Sequence, residues 1–413
     1  GLSLNLMIFC SNPVNGGTAR MFYESVRGLR EYFSADDRLY PCINKGNDVE
    51  IYYKIEGLIE LPVVSAETMF PELYGGSLLG RVLNRLKRNC LYKNILKRNI
   101  SIMEDFIKEN SIDAVIIHNG GYVGDDLCNQ ALTAAYRCAE HTPCRTYVLH
   151  NDMEKNWCSK IAFWRYDKKV SKEATSIITV SNYTKNRIER SSFISRNIQV
   201  IYDGIDVVNI LTREQKDKII KTESNKHNIL MIGNFLENKG QKQFIECAYA
   251  LYKKDNDYRF TIIGNVYDKE YHKECINLMK EKGLGGVLSI YYGINNASEF
   301  IELFDVQVVP SMYDESFGLI SVEAMANGVP VVAFACGGIP EVVENGRDGF
   351  VVSVGDTKQM SDQIDWLITH DDERIKMSKV CKEDYQRKFS TDAMADQYVK
   401  LISNSSLSVE WKS

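Results

Sequence analysis

Two glutamates eight residues apart, Glu315 and Glu323, flank Gly318 in the stretch ESFGLISVEAMANGVPVVAF (315–334). Leu319 to Asn327 reads as a helix with Val322, Met325 and Ala326 turned inward, and Gly328, Val329 and Pro330 end it ahead of the apolar VVAF. Glu315 then lies in the turn before the helix and Glu323 a turn or more inside it. A helix opened by a small-residue turn leaves several backbone N–H groups unpaired at the positive end of its dipole, which favours phosphate. A carboxylate repels phosphate, so the two acids must meet something else on the same ligand. Sugar hydroxyls donate hydrogen bonds to carboxylate oxygens, and a nucleotide-sugar carries hydroxyl, diphosphate and hydroxyl in that order. The plainer alternative is an exposed helix residue at 323 and a loop acid at 315.

Three other places carry chemistry. Lys239, in GNFLENKG (233–240), follows an apolar run in a glycine-containing loop and offers a point charge to a diphosphate. In SNPVNGGTAR (11–20), Gly16 and Gly17 stand where a strand turns into a helix and let backbone approach a phosphate. That loop is not G-x-G-x-x-G, so a dinucleotide fingerprint fails. His118 and His150 both end apolar runs, where a lone histidine more often satisfies a hydrogen bond than catalyses. Gly337 and Gly338 read as a tight turn, and Ser181, Asp203 and Asp206 as structural.

The elements that must position these residues are short β-branched runs alternating with helical stretches. LNLMIFCS (4–11), AVIIH (114–118), RTYVLHN (145–151), SIITVS (176–181) and IQVIYDGID (198–206) form a first series. After the charged break TREQKDKIIKTESNKHN (212–228), read as a linker or surface helix, the pattern restarts. ILMIGNF (229–235), RFTIIGN (259–265), LSIYYGI (288–294), VQVVPS (306–311), PVVAF (330–334) and GFVV (349–352) follow. Near-continuous apolar strands suit parallel sheets covered on both faces. The expected class is α/β with two domains, 1–207 and 208–391, and a C-terminal segment, 392–413, packed back on the first.

With 44% hydrophobic and 25% charged residues among 413, the chain can bury sizeable cores. A net charge of −5 argues against a nucleic-acid partner held by a global basic field. Eleven cysteines without C-x-x-C or zinc-like spacing suit reduced, buried thiols in the cytoplasm. No apolar run reaches the roughly 20 residues that cross a bilayer. Residues 75–100 form a basic stretch carrying Arg81, Arg85, Lys87 and Arg88, with Leu79, Val82, Leu83, Leu86 and Cys90 at helical spacing. It reads either as a helix packed on the first sheet or as a peripheral contact with an anionic membrane on its inner face.

Taken together, the chain resembles the family-4 retaining glycosyltransferases over nearly its whole length. The densest likeness is PSMYDESFGLISVEAMANGVPVVAFACGGIPEVVENGRDGFVV (310–352), similar to that family's E-x7-E region and its trailing G-G-x-x-E segment. NGGTAR, VLHND (148–152), ITVSNYTK (178–185), VIYDGID (200–206) and FSTDAMADQY (389–398) are weaker echoes. The resemblance implies a GT-B fold: two Rossmann-like domains facing each other across a deep cleft, the first binding acceptor and the second donor, with the C-terminal helix crossing back. It implies that Glu323 binds the nucleotide ribose and that Glu315 lies against the donor sugar. Ser316, Phe317, Gly318 and Leu319 would present backbone to sugar and diphosphate. Gly16 and Gly17 would close over the diphosphate, His150 would sit beside the donor sugar, and Gly293 and Ile294 would touch the base.

One departure stands out. Where the family usually carries an arginine, this sequence has Asn234, five residues before Lys239, so an uncharged donor replaces one of two cations. The catalytic candidates are Glu315, His150 and Lys239, and the expected reaction moves a sugar from a nucleoside-diphosphate donor, UDP favoured, with retention and without metal or cofactor. The acceptor would be a glycan, a lipid-linked glycan or a protein, in cell-surface glycan or glycolipid synthesis. Two alternatives are a non-catalytic partner subunit of the same fold, which Asn234 favours, and a nucleotide-sugar epimerase.

Overall fold

The computed structural model describes residues 3–69, 85–121, 125–151 and 157–405. The chain divides into two compact units, Gly1–Gly204 with Thr391–Ser413, and Ile205–Ser390.

Among the described residues, the first unit holds a seven-stranded sheet of β1 (Asn5–Cys10), β2 (Arg38–Asn44), β3 (Ile59–Leu61), β4 (Ala114–Asn119), β5 (Cys144–Leu149), β6 (Ser176–Thr179) and β7 (Ile198–Val200). Their order is β3-β2-β1-β4-β5-β6-β7, and every pairing is parallel. Every residue of β4 and β5 is buried, as a parallel sheet covered on both faces requires. Strands β2 and β3 were not anticipated. β2 reads RLYPCIN, with charge and a proline that speak against a strand, yet it pairs fully with β1, Ile8 lying opposite Pro41. β3 is three residues long, at the sheet edge.

Helices α1 (Gly17–Arg30), α2 (Arg85–Glu109), α3 (Asp126–Arg137) and α5 (Thr391–Ser403) belong to this unit. α2 buries Ile95, Asn99, Ile100, Met103 and Ile107 at helical spacing, and the last three join Phe9, Val115 and Ile117 in the core. Lys93, Lys97 and Arg98 are exposed on it. The membrane candidate Arg81 lies outside the described residues, as do the side chains of Arg85, Lys87 and Arg88. Cys90, expected on the apolar stripe, is exposed because the described buried positions of α2, Ile95, Asn99, Ile100, Met103 and Ile107, run out of phase with it. α5 docks on α1, where the Thr391 hydroxyl donates to Glu24 at 2.8 Å and Tyr398 and Ile402 are buried.

The second unit holds β8 (His227–Ile232), β9 (Tyr258–Ile263), β10 (Leu288–Tyr291), β11 (Val306–Val309), β12 (Val331–Phe334) and β13 (Gly349–Val352). They form a parallel sheet of order β10-β9-β8-β11-β12-β13. Between β11 and β12 runs the helix α4 (Leu319–Ala326). The charged break expected as a linker or surface helix forms a helix over Arg213–Ile219 with a capping box at Thr212, but its Lys216 is wholly buried, its Nζ 2.8 Å from Glu302. An internal ion pair therefore anchors a segment that lacks an apolar stripe. In each unit the strand order reverses beside the first strand, at β1/β4 and at β8/β11, and such reversals open a crevice outside the strand carboxyl ends.

Candidate functional site

At the reversal in the second unit lies a cavity of about 260 Å³. Gly233 and Asn234 enter it from the end of β8, Gly264 and Asn265 from the end of β9, and Pro310 and Ser311 from the end of β11. Lys239, Glu315, Gly318 and Ile320 close it, with Ile294 at one side.

Lys239 and Glu315 face each other across this cavity. Lys239 Nζ is 3.1 Å from Glu315 Oε2, and the Ser311 hydroxyl donates to the same oxygen at 3.4 Å. Two glycines permit the approach. Gly240 has φ +78°, and a Cβ there would fall 1.9 Å from the Pro310 carbonyl oxygen. Gly337 has φ +55°, and a Cβ there would fall 1.8 Å from the Glu315 carbonyl oxygen. The neighbouring Gly338 N–H donates to that same carbonyl at 2.9 Å, so the glycine turn buttresses the Glu315 loop.

α4 starts from Gly318, at φ +96°, with no side-chain cap and no acid in its first turn. Its first N–H groups are therefore available to an anion. Phe317 is buried, its ring centroid 5.9 Å from that of Phe389, while Ser316 and Leu319 are half-buried. Glu323 sits in the middle of α4, 6% exposed, and is not among the described residues lining the cavity. Val322 and Met325 are buried as expected and Ala326 is only half-buried, while Ser321, Glu323 and Ala324 are buried too, because α4 is enclosed on nearly all sides.

Asn234 ties the site's backbone together. Its Oδ1 accepts from the Asn265 N–H at 3.0 Å, and Asn265 Oδ1 in turn accepts from the Gly293 N–H at 2.7 Å. Gln241 Nε2 donates to the carbonyls of Gly233 and Asn234 at 3.0 and 2.9 Å. Asn265 and Gln241 were missed in the sequence. A signal for Asn265 was present, since β8 and β9 end in the same I-G-N tripeptide, 232–234 and 263–265.

In the first unit, Gly16 and Gly17 are exposed at the start of α1, which has no side-chain cap and no acid in its first turn. His150 is 5% exposed, its Nε2 2.8 Å from His118 Nδ1, the two rings stacked. Its Nδ1 lies 3.9 Å from Asp203 Oδ1. Burial drives His150 down to about 3 and, with His150 beside it, holds His118 well below the usual imidazole value. Burial also raises Asp203 to about 8. At neutral pH these are two neutral imidazoles beside a protonated carboxyl, so the contact is not an ion pair.

Family models match two successive stretches of the chain: Glycosyltransferase Family 4 over residues 69–209, and Glycosyl transferases group 1 over residues 212–384. The chain belongs to the family-4 glycosyltransferases. This glycosyltransferase is 26% identical over 332 residues to an uncharacterized 41.2 kDa protein in the cps region of Klebsiella pneumoniae, a match spanning 76% of this chain and 87% of that protein. It is 27% identical over 250 residues, 57% of each chain, to the D-inositol 3-phosphate glycosyltransferase of Corynebacterium aurimucosum. Among solved structures, Anabaena HepE in complex with UDP superposes with a TM-score of 0.72 at 15% identity, covering 97% of this chain and all of that one. The fold is GT-B. Among the described residues, no helix is long and apolar enough to cross a membrane.

Proposed function

We propose that this glycosyltransferase moves a sugar from a UDP-sugar to an acceptor hydroxyl, with retention of anomeric configuration and without a metal, in the synthesis of a cell-surface glycan or glycolipid. The observation that carries the reading is the Lys239–Glu315 pair in the cavity at the ends of β8, β9 and β11, beside the uncapped start of α4. A diphosphate entering there would meet the Lys239 ammonium and the first N–H groups of α4, both of which stabilise charge on a departing phosphate. Glu315, released from Lys239, is then free to accept from the donor sugar's hydroxyls. HepE's complexes with UDP and with UDP-glucose support the choice of nucleotide.

Asn234 supplies no charge, so in this reading Lys239 and the α4 dipole carry the leaving group between them. No described side chain is placed as a covalent nucleophile. A front-face course fits: the sugar C1–O bond to phosphate breaks, the acceptor oxygen bonds C1 on the same face, and its proton passes to the departing phosphate oxygen. His150, neutral and with its ring turned toward His118 and Asp203, would position the backbone at the end of β5 rather than carry a proton. Glu323 would reach the ribose from α4. The acceptor is assigned to the first unit, and peripheral attachment through residues 75–100 stays part of the proposal.

The test is the product's anomeric proton coupling by NMR after incubation with α-linked UDP-sugars and EDTA. An α-linked product supports the reading; a β-linked product, or transfer that stops with EDTA, refutes the corresponding part.

A further inference from the structure

One face of the first unit carries charge opposite in sign to that of the whole chain. Net charge is −5, yet between Lys160 and Arg196 nine lysines and arginines stand against three acids, and two of those acids, Asp167 and Glu173, are buried. Three helices supply the face: Trp157–Ala162, Trp164–Glu173 and Asn182–Ser191. The second turns Asp167, Val170, Ser171 and Glu173 inward and leaves Trp164, Arg165, Lys168 and Lys172 exposed, so a tryptophan stands on its polar side.

Trp164 is 38% exposed, Ile161 47% and Phe193 39%. Single exposed apolar side chains are ordinary, but these three are held together. Lys160 Nζ donates to the Arg190 carbonyl at 2.9 Å and lies 4.9 Å from the centre of the Phe193 ring, joining the first helix to the end of the third. Asp167 Oδ2 accepts from the Phe193 N–H at 2.9 Å, joining the second helix to the same residue. The Lys168 ammonium and the Arg165 guanidinium lie 4.8 and 5.5 Å from the centre of the Trp164 ring.

The cations around these rings lack acidic partners. Lys160, Arg165, Lys168 and Arg190 form no ion pair with a described residue, whereas Lys218 and Lys358 on other helices each meet an acid one turn away, at 2.8 and 2.7 Å. A small soluble anion would satisfy the charges and leave Ile161, Trp164 and Phe193 in water. An apolar protein surface would cover those three and strand the charges. The boundary layer of an anionic bilayer answers both demands, taking aromatic and aliphatic groups beneath the phosphates and ammonium and guanidinium groups among them.

We infer that this face docks on an anionic lipid surface, with Ile161, Trp164 and Phe193 entering the headgroup boundary and Lys160, Arg165, Lys168 and Arg190 meeting lipid phosphates. The inference extends the proposed peripheral attachment to a second face, built from residues 160–193, and does not depend on residues 75–100.

The experiment is co-sedimentation of the full chain with vesicles of mixed phosphatidylglycerol and phosphatidylcholine, against phosphatidylcholine alone. The chain should bind the anionic vesicles, less as salt rises, and not the neutral ones. Arg165→Gln and Lys168→Gln should each weaken binding about fivefold, the worth of one cation near an anionic surface. Trp164→Ser should weaken it about tenfold through lost apolar burial. All three side chains are exposed, and UDP affinity in the same samples reports that each variant is folded. Equal binding to neutral vesicles, unchanged binding in all three variants, or tighter binding of a single-stranded oligonucleotide than of anionic vesicles overturns the inference. Neutralising Arg85, Lys87 and Arg88 separates the two faces. Loss of binding there alone overturns this inference and leaves the earlier attachment standing; loss in the Arg165, Lys168 and Trp164 variants alone does the reverse.

Discussion

Lys239 Nζ lies 3.1 Å from Glu315 Oε2, so the cation expected to meet a diphosphate is neutralised by the acid expected to meet a sugar. In the proposed reaction the two are partners until a donor separates them. Both are partly exposed, at 33% and 18%, so the pair is worth no more than about 1 kcal/mol and yields readily to a diphosphate.

Glu315→Gln therefore has two effects of opposite sign. It frees Lys239, so UDP should bind up to about fivefold tighter. It also removes the carboxylate from the donor sugar, so kcat should fall. Calorimetry with UDP and a turnover assay read the two separately, and weaker UDP binding would show that the pair does not restrain Lys239.

Lys239→Met should lower kcat by about 10²–10³, the usual loss when one electrostatic group is removed from a developing charge. A fall of less than fivefold would mean that another cation carries the diphosphate.

Asn234→Ala leaves the Asn265 N–H without its acceptor and should cost about 1–2 kcal/mol, read as a Tm lower by a few degrees. Asn234→Arg should lower Tm similarly while tightening UDP by roughly tenfold, since charge is gained as the backbone tie is lost. An unchanged Tm in both variants would remove Asn234 from the structural role.

Much of this was legible in the sequence, and the boundary has physical causes. Apolar parallel strands announce themselves by continuous β-branched runs, so β4, β5, β8, β9 and β11 stood where expected, whereas β2 hid behind Arg38 and Pro41 and was ordered by its pairing with β1. The Glu315 turn and the start of α4 were visible from glycine placement. The contact between Lys239 and Glu315 was not, because 76 residues separate them and only the sheet brings them together. The role of Asn234 was hidden for the same reason: an asparagine read as a missing charge is a bridge to the end of β9.

The His118–His150–Asp203 group predicts a pH dependence. Asp203, raised to about 8, keeps its proton in the folded protein while the unfolded chain loses it above about 4. The folded state thus binds more protons between those values, and stability falls as pH rises through that window. His150, lowered to about 3, acts oppositely, its unfolded form being protonated below about 6.5. His118, also held well below the usual imidazole value, opposes Asp203 in the same way, so below pH 6.5 the two histidines outweigh it, and between pH 6.5 and 8 Asp203 alone leaves a net loss on the order of 2 kcal/mol. Asp203→Asn should remove it, so the Tm difference between variant and parent should shift in the variant's favour across that range. A constant difference would contradict the assignment.

The most direct measurement is release of UDP from labelled UDP-sugars by the intact chain and by Glu315→Ala. The account predicts acceptor-dependent UDP release and a glycosylated product, both lost in Glu315→Ala. Tight UDP-sugar binding without release, or recovery of the donor as its epimer, would contradict it.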